Sequence, residues 1–133
     1  MIVDYAFLCD YAEAGQKLHA MGIGIDAILA KQVPVTHPTF FLVLQLRANA
    51  AEAGDKNMTI RLIDADGKDV IPEINATLTL NRPPQGTTST IARLALRLNG
   101  ITFPRFSEYA VHVLLQGQEL VQLPIRVAPA PAA

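Results

Sequence analysis

The chain holds a single cysteine, Cys9, and no tryptophan among its 133 residues, and aromatic residues make up only 6% of it. One thiol excludes an intramolecular disulfide and supplies neither a redox pair nor a cysteine metal cluster. Few aromatics leave few stacking platforms for single-stranded nucleic acid. Charge of one sign is also missing: 11 Lys+Arg stand against 12 Asp+Glu, a formal net charge of -1. No global field therefore draws in polyanions or acidic membranes. The longest charge-free stretch, between Lys31 and Arg47, is interrupted by Thr36, His37 and two prolines and falls short of a bilayer span. At the N-terminus, MIVDYAFLC places Asp4 where a secretory signal needs positive charge. The expectation is a cytoplasmic protein with no cofactor and with neither nucleic acid nor membrane as partner.

What the chain does have is apolar residues, 50% of the total, and they recur with a period of two. In FFLVLQLR, Phe40, Leu42, Leu44 and Leu46 share one face, while Phe41, Val43, Gln45 and Arg47 share the other. NMTIRLI, INATLTL, IARLALRL, EYAVHVLL and LVQLPIRV continue the alternation. Between them lie turn residues, namely Gly54, Asp66-Gly67, Pro83 to Gly86, Asn99-Gly100 and Gly117. No amphipathic helix is legible; ANAAEAG, Ala48 to Gly54, offers one or two helical turns as a crossover. Short strands with regular turns predict an all-β fold. The expected form is a single antiparallel β-sandwich of about seven to nine strands, immunoglobulin-like or similar, over residues 1–127. The Ala/Pro-rich tail 128–133 is expected to be disordered, because proline cannot continue a ladder.

The segment LIDADGKDVI, Leu62 to Ile71, crowds three aspartates around a glycine. An EF-type calcium loop needs glycine at its sixth position and a bidentate glutamate at its twelfth. Counting from Asp64, the glycine falls fourth and the twelfth residue is Asn75. The segment is expected instead to form a two-residue hairpin turn of the primed type at Asp66-Gly67, with no metal. Cys9 lies in phase with Tyr5 and Phe7 and is expected to be a buried apolar side chain. His19, His37 and His112 show no metal-ligand spacing. GIGID, Gly22 to Asp26, has two glycines but no following helix to hold a phosphate. Arg93 and Arg97 share one strand face, read as a solvated surface with an anionic partner as the alternative.

AFLCDYAEAGQKLHAMGIGIDAI resembles the opening of a group of small uncharacterised bacterial proteins, a domain of unknown function. The shared pattern is an apolar strand ending in Asp, a turn into Gly-Lys-Leu, and an apolar strand closing on Gly-x-Gly. RLIDADGKDV and YAVHVLLQGQELVQLPIRV, with Tyr109, Gly117, Leu123, Pro124 and Val127, extend the resemblance from about Val3 to Val127. Gln16 departs from it by separating Gly15 from Lys17. The resemblance implies a β-sandwich and no known activity or site residue.

With no acid, base and nucleophile in one segment, the leading expectation is a non-enzymatic protein-interaction or assembly module, self-associating as a homodimer through Phe41 and Val43. Those two residues face outward if Phe40, Leu42, Leu44 and Leu46 face the core, and an apolar outer face needs a cover. The Ala48 to Gly54 crossover is the alternative cover. One rival function is a small hydrolase-like enzyme whose site joins Asp10, Asp26 and the histidines across strands. The other is a calcium-dependent module built on the turn from Asp64 to Asp69.

Overall fold

A computed structural model of the chain describes residues 1–131, and it is all-β. The strands are β1 (Ile2–Cys9), β2 (Tyr11–Ala14), β3 (Leu18–Met21), β4 (Ala27–Ala30), β5 (Val35–Ala48), β6 (Gly54–Ile63), β7 (Ile74–Leu80), β8 (Thr90–Phe103), β9 (Ser107–Leu115) and β10 (Gln118–Pro129). They form a three-stranded sheet β1-β5-β8, a five-stranded sheet β4-β10-β9-β6-β7 and the hairpin β2-β3. Phe40, Leu42, Leu44 and Leu46 of β5 meet Met58, Ile60 and Leu62 of β6 and Val111 and Val113 of β9 in a core shared by the two larger sheets. The alternation read from FFLVLQLR thus sets which face of β5 enters this core.

The expected antiparallel sandwich of seven to nine strands needs revision, because the described residues form ten strands in three sheets and β4 runs parallel to β10. Gly24 and Ile25 both donate to the Leu8 carbonyl, which keeps the crossover from the hairpin short and delivers β4 pointing along β10. The crossover expected from Ala48 to Gly54 contains a single 3-10 turn, Ala50–Glu52. There the Asn49 side chain accepts from the Glu52 amide and the Glu52 carboxylate accepts from the Asn49 amide.

Turn chemistry was misplaced at two sites. At Asp66-Gly67, only Gly67 has a positive φ (81°); its amide donates to the Asp64 carbonyl at 3.0 Å, and Asp64 N donates to the Lys68 carbonyl at 2.9 Å. This is a three-residue loop with glycine in the left-handed position, not a two-residue primed turn. The primed turn is Gln116-Gly117, where both residues have positive φ (51° and 80°) between the paired Leu115 and Gln118.

Asn99-Gly100 is no turn either: β8 runs straight through it, and Gly100 (φ 61°) falls opposite Pro38 of β5. The inward phase changes there in both strands, from Phe40 and Leu98 on one side to Val35, Ile101 and Phe103 on the other. Glycine tolerates the conformation, and proline needs no partner for a donor it lacks.

The ladder also extends past the expected start of the tail, since Ala128 and Pro129 pair with Leu29 and Ala30 and the Ala130 amide donates to the Ala30 carbonyl. Pro129 is tolerated because its nitrogen faces the β9 side, where pairing has already ended at Ser107 opposite Val127. Ala132 and Ala133 lie outside the described residues.

Candidate functional site

Two concave regions merit comparison. The first lies on the outer face of the five-stranded sheet, a depression of about 700 Å³ whose rim carries Asp26, Asp64, Glu108, His112, Gln122 and Arg126. Period-two alternation builds it: Glu108, Ala110 and His112 of β9 point away from the core, as do Gln122, Pro124 and Arg126 of β10. Register then sets Gln122, His112 and Arg61 in one row across β10, β9 and β6. Small residues, Ala110 and Pro124, make up the next row and leave the hollow.

Of the titratable groups on this rim, Asp64 and His112 are engaged with neighbours, whereas Asp26, Glu108 and Arg126 form no side-chain hydrogen bond or ion pair among the described residues. Asp64 Oδ1 accepts from the amides of Asp66 and Lys68, both at 2.9 Å, and Oδ2 from Arg105 at 3.1 Å. The two amides and the guanidinium hold its carboxyl below the ordinary value, against the opposing effect of burial. Arg105 is fixed in turn by Tyr109, whose hydroxyl donates to the Arg105 carbonyl at 2.7 Å and accepts from its amide at 3.1 Å. Arg61 donates to Asp69 at 3.1 Å, and His112 Nδ1 pairs with Glu119. His112 Nε2 is buried without a partner among the described residues.

Of the residues expected for an enzyme site, Asp26 and His112 do line this depression. Asp10 instead sits at the base of the β2-β3 hairpin, where its amide donates to the Met21 carbonyl at 3.0 Å. His19 is exposed on β3, and His37 lies on β5 with its ring 5.7 Å from that of Phe40. The proposed constellation of Asp10, Asp26 and three histidines is therefore not assembled. Among the described residues, no three His, Cys, Asp or Glu side chains converge as metal ligands. Asp64 and Asp69 of the proposed calcium turn both face arginines.

Cys9, Phe41 and Val43 occupy the outer face of the three-stranded sheet, at 0%, 5% and 1% exposure. The β2-β3 hairpin folds back over them, packing Ala12, Leu18 and Ala20 onto the patch, with the Tyr11 ring edge-on to Phe41 at 5.2 Å. This hairpin, and not the Ala48 to Gly54 crossover, is the cover. Phe41 and Val43 thus offer no free area for the expected dimer contact. Burial also raises the Cys9 thiol above its ordinary value, which suppresses the thiolate.

The second concave region is a groove of about 480 Å³ at the seam between the sheets, where Arg97 to Thr102 of β8 face Val70, Ile71, Pro72 and Ile74. β8 is the terminal strand of its sheet and β7 of the other, and the two approach without pairing. β8 is fourteen residues long, against four for the edge strand β4 and seven for β7. A long unpaired edge presents a row of free N–H and C=O groups. The sequence signal for this site was the segment Val70-Ile71-Pro72 behind the aspartate turn, which period counting passes over because it belongs to no strand.

A family model described as a family of unknown function, DUF6941, matches residues 4–128. No curated protein matches the chain.

Proposed function

From a chain that belongs to the DUF6941 family of unknown function, we propose a non-enzymatic protein-interaction module that receives an extended segment of a partner along the free edge of β8. The observation that carries this reading is the conjunction of a fourteen-residue terminal strand with an apolar groove beside its outer edge. Main-chain hydrogen bonds to such an edge supply affinity, and a groove that takes alternate side chains supplies selectivity. The architecture behind it is a two-layer, immunoglobulin-like sandwich whose β2-β3 hairpin seals the outer face of the smaller sheet. Work in the cytoplasm fits the buried free thiol and balanced charge.

The depression on the larger sheet supports enzyme chemistry less well. The one thiol lies on the other sheet, Asp64 is tied to two amides and Arg105, and the remaining carboxylates of the rim, Asp26 and Glu108, have no serine, threonine or cysteine beside them among the described lining residues. A photoreactive amino acid in place of Asn99, at the β8 edge, and separately in place of Gln122, in the depression, tests the choice in cells of the source organism. A defined protein adduct from position 99 alone supports the module. Adducts from position 122 alone overturn it.

A further inference from the structure

We infer that the strand received by β8 is acidic on one face and apolar on the other, with carboxylates four residues apart; this rests on the edge-addition reading above. Arg93 and Arg97 stand four residues apart on the outer face of β8, with only Ala95 between them on that face. Both guanidiniums are held in place. Arg93 Nε donates to Gln45 Oε1 at 2.8 Å, and a terminal nitrogen of Arg93 reaches the Gly15 carbonyl at 3.4 Å, at the tip of the covering hairpin. The Arg97 guanidinium lies 5.3 Å from the centre of the Phe41 ring. These partners are neutral, so neither cation is in an ion pair among the described residues. The acids of this corner are already engaged, Glu13 accepting from the Tyr11 hydroxyl and Asp4 from Gln45 Nε2 and Arg47, and Lys17 at the hairpin tip adds a further positive charge.

The same arginines argue against a second copy of this chain as occupant. In antiparallel β8-to-β8 pairing, side chains of one face oppose that same face of the other copy. A centre at Ala95 sets Arg93 directly opposite Arg97, and a shift by two residues in either direction leaves arginines facing one another directly or diagonally. Directly opposed like charges destabilise a pair, and diagonal neighbours remain within reach of long side chains. An added strand from another protein escapes this if its outer face carries glutamate or aspartate at two positions four apart. Its other face turns toward Val70, Ile71 and Ile74, which sit half-buried at the seam and pack against the core beside Leu98 and Ile101. The partner segment therefore alternates, with branched apolar residues on one face and spaced carboxylates on the other.

The test uses three fluorescent peptides of one design, Val-X-Val-Thr-Val-X-Val, with X as Glu, Gln or Lys, titrated against the full chain by anisotropy. Amide hydrogen exchange locates the bound peptide. Two cross-strand ion pairs in place of two repulsions predict that the Glu peptide binds about tenfold more tightly than the Lys peptide. Salt should narrow the gap. The bound Glu peptide should slow exchange in Thr90–Phe103, and Arg97→Glu should weaken the Glu peptide while strengthening the Lys peptide. Equal binding of all three peptides at β8 overturns the acidic preference and leaves the interaction module standing. Protection confined to another strand, or none at saturating peptide, overturns both.

Discussion

Gly22→Ala is the sharpest probe of the hairpin that seals the smaller sheet. Gly22 ends that hairpin with φ at 66°, a conformation that costs an L-residue about 1–2 kcal/mol. An added methyl would also lie 2.6 Å from Asp10 Cγ and 2.9 Å from Asp10 Cβ, so the Asp10 carboxyl would have to turn away and the backbone at Asp10 or position 22 would have to shift. The strain falls on the clamp formed by the Asp10 amide, which donates to Met21 O at 3.0 Å and to Gly22 O at 3.3 Å. When that clamp opens, the hairpin lifts from Phe41, Val43 and Cys9. A local penalty of about 1–2 kcal/mol raises the open population roughly 5- to 30-fold. The Cys9 thiol, buried and shifted upward, reports this directly, because a thiol reagent reaches it only in the open form. The variant should therefore label roughly 5- to 30-fold faster than wild type under native conditions. Adding Asp10→Ala should reverse part of the gain by removing the carboxyl from the clash while leaving the Cβ contact and the φ cost. Fast labelling of the wild type, or an unchanged rate in a measurably destabilised Gly22→Ala, would refute the reasoning.

Three further outcomes follow from the packing. Phe41→Ala should lower stability by about 3–5 kcal/mol as a core truncation, without changing the mass measured by light scattering; a wild-type dimer that this substitution dissociates would restore Phe41 as an interface residue. Gly67→Val should cost on the order of 1 kcal/mol or more, since Gly67 holds the left-handed position of its loop (φ 81°), and a calcium-induced rise in melting temperature lost in Asp64→Asn would instead reveal a metal loop. The folded-state carboxyl of Asp64 titrates below its unfolded value, so the stability it contributes is present above the unfolded pKa and disappears as pH falls through the folded one. Wild type should therefore exceed Asp64→Asn in stability at neutral pH, with the gap closing below about pH 4, and a gap independent of pH would contradict the assignment.

Period two made the strands around Phe40, Met58, Ile74, Leu94, Val111 and Ile125 legible, because each has one face in a common core. Turn residues misled where the ladder supplied another use for glycine. Gly100 lies across from Pro38 inside a strand, between the pairs His37–Ile101 and Thr39–Asn99, whereas Gln116-Gly117, without the usual Asn or Asp, makes the tight turn. The apolar outer face of β5 correctly signalled a missing cover. The identity of that cover, the short β2-β3 hairpin, depends on the bends at Asp10 and Gly22 that flank it, which no periodicity records. For the seam, Arg93 and Arg97 were visible as a shared face, but their position on a terminal strand beside Val70 and Ile71 follows only from strand order.

Amide hydrogen exchange on the free protein tests the central claim, an open β8 edge, most directly. Residues of β8 alternate between amides bonded to β5 and amides that face away from it, so fast and slow exchange should alternate along Thr90–Leu98. Uniform slow exchange along that segment would mean that the edge is already paired in solution, and would contradict the account.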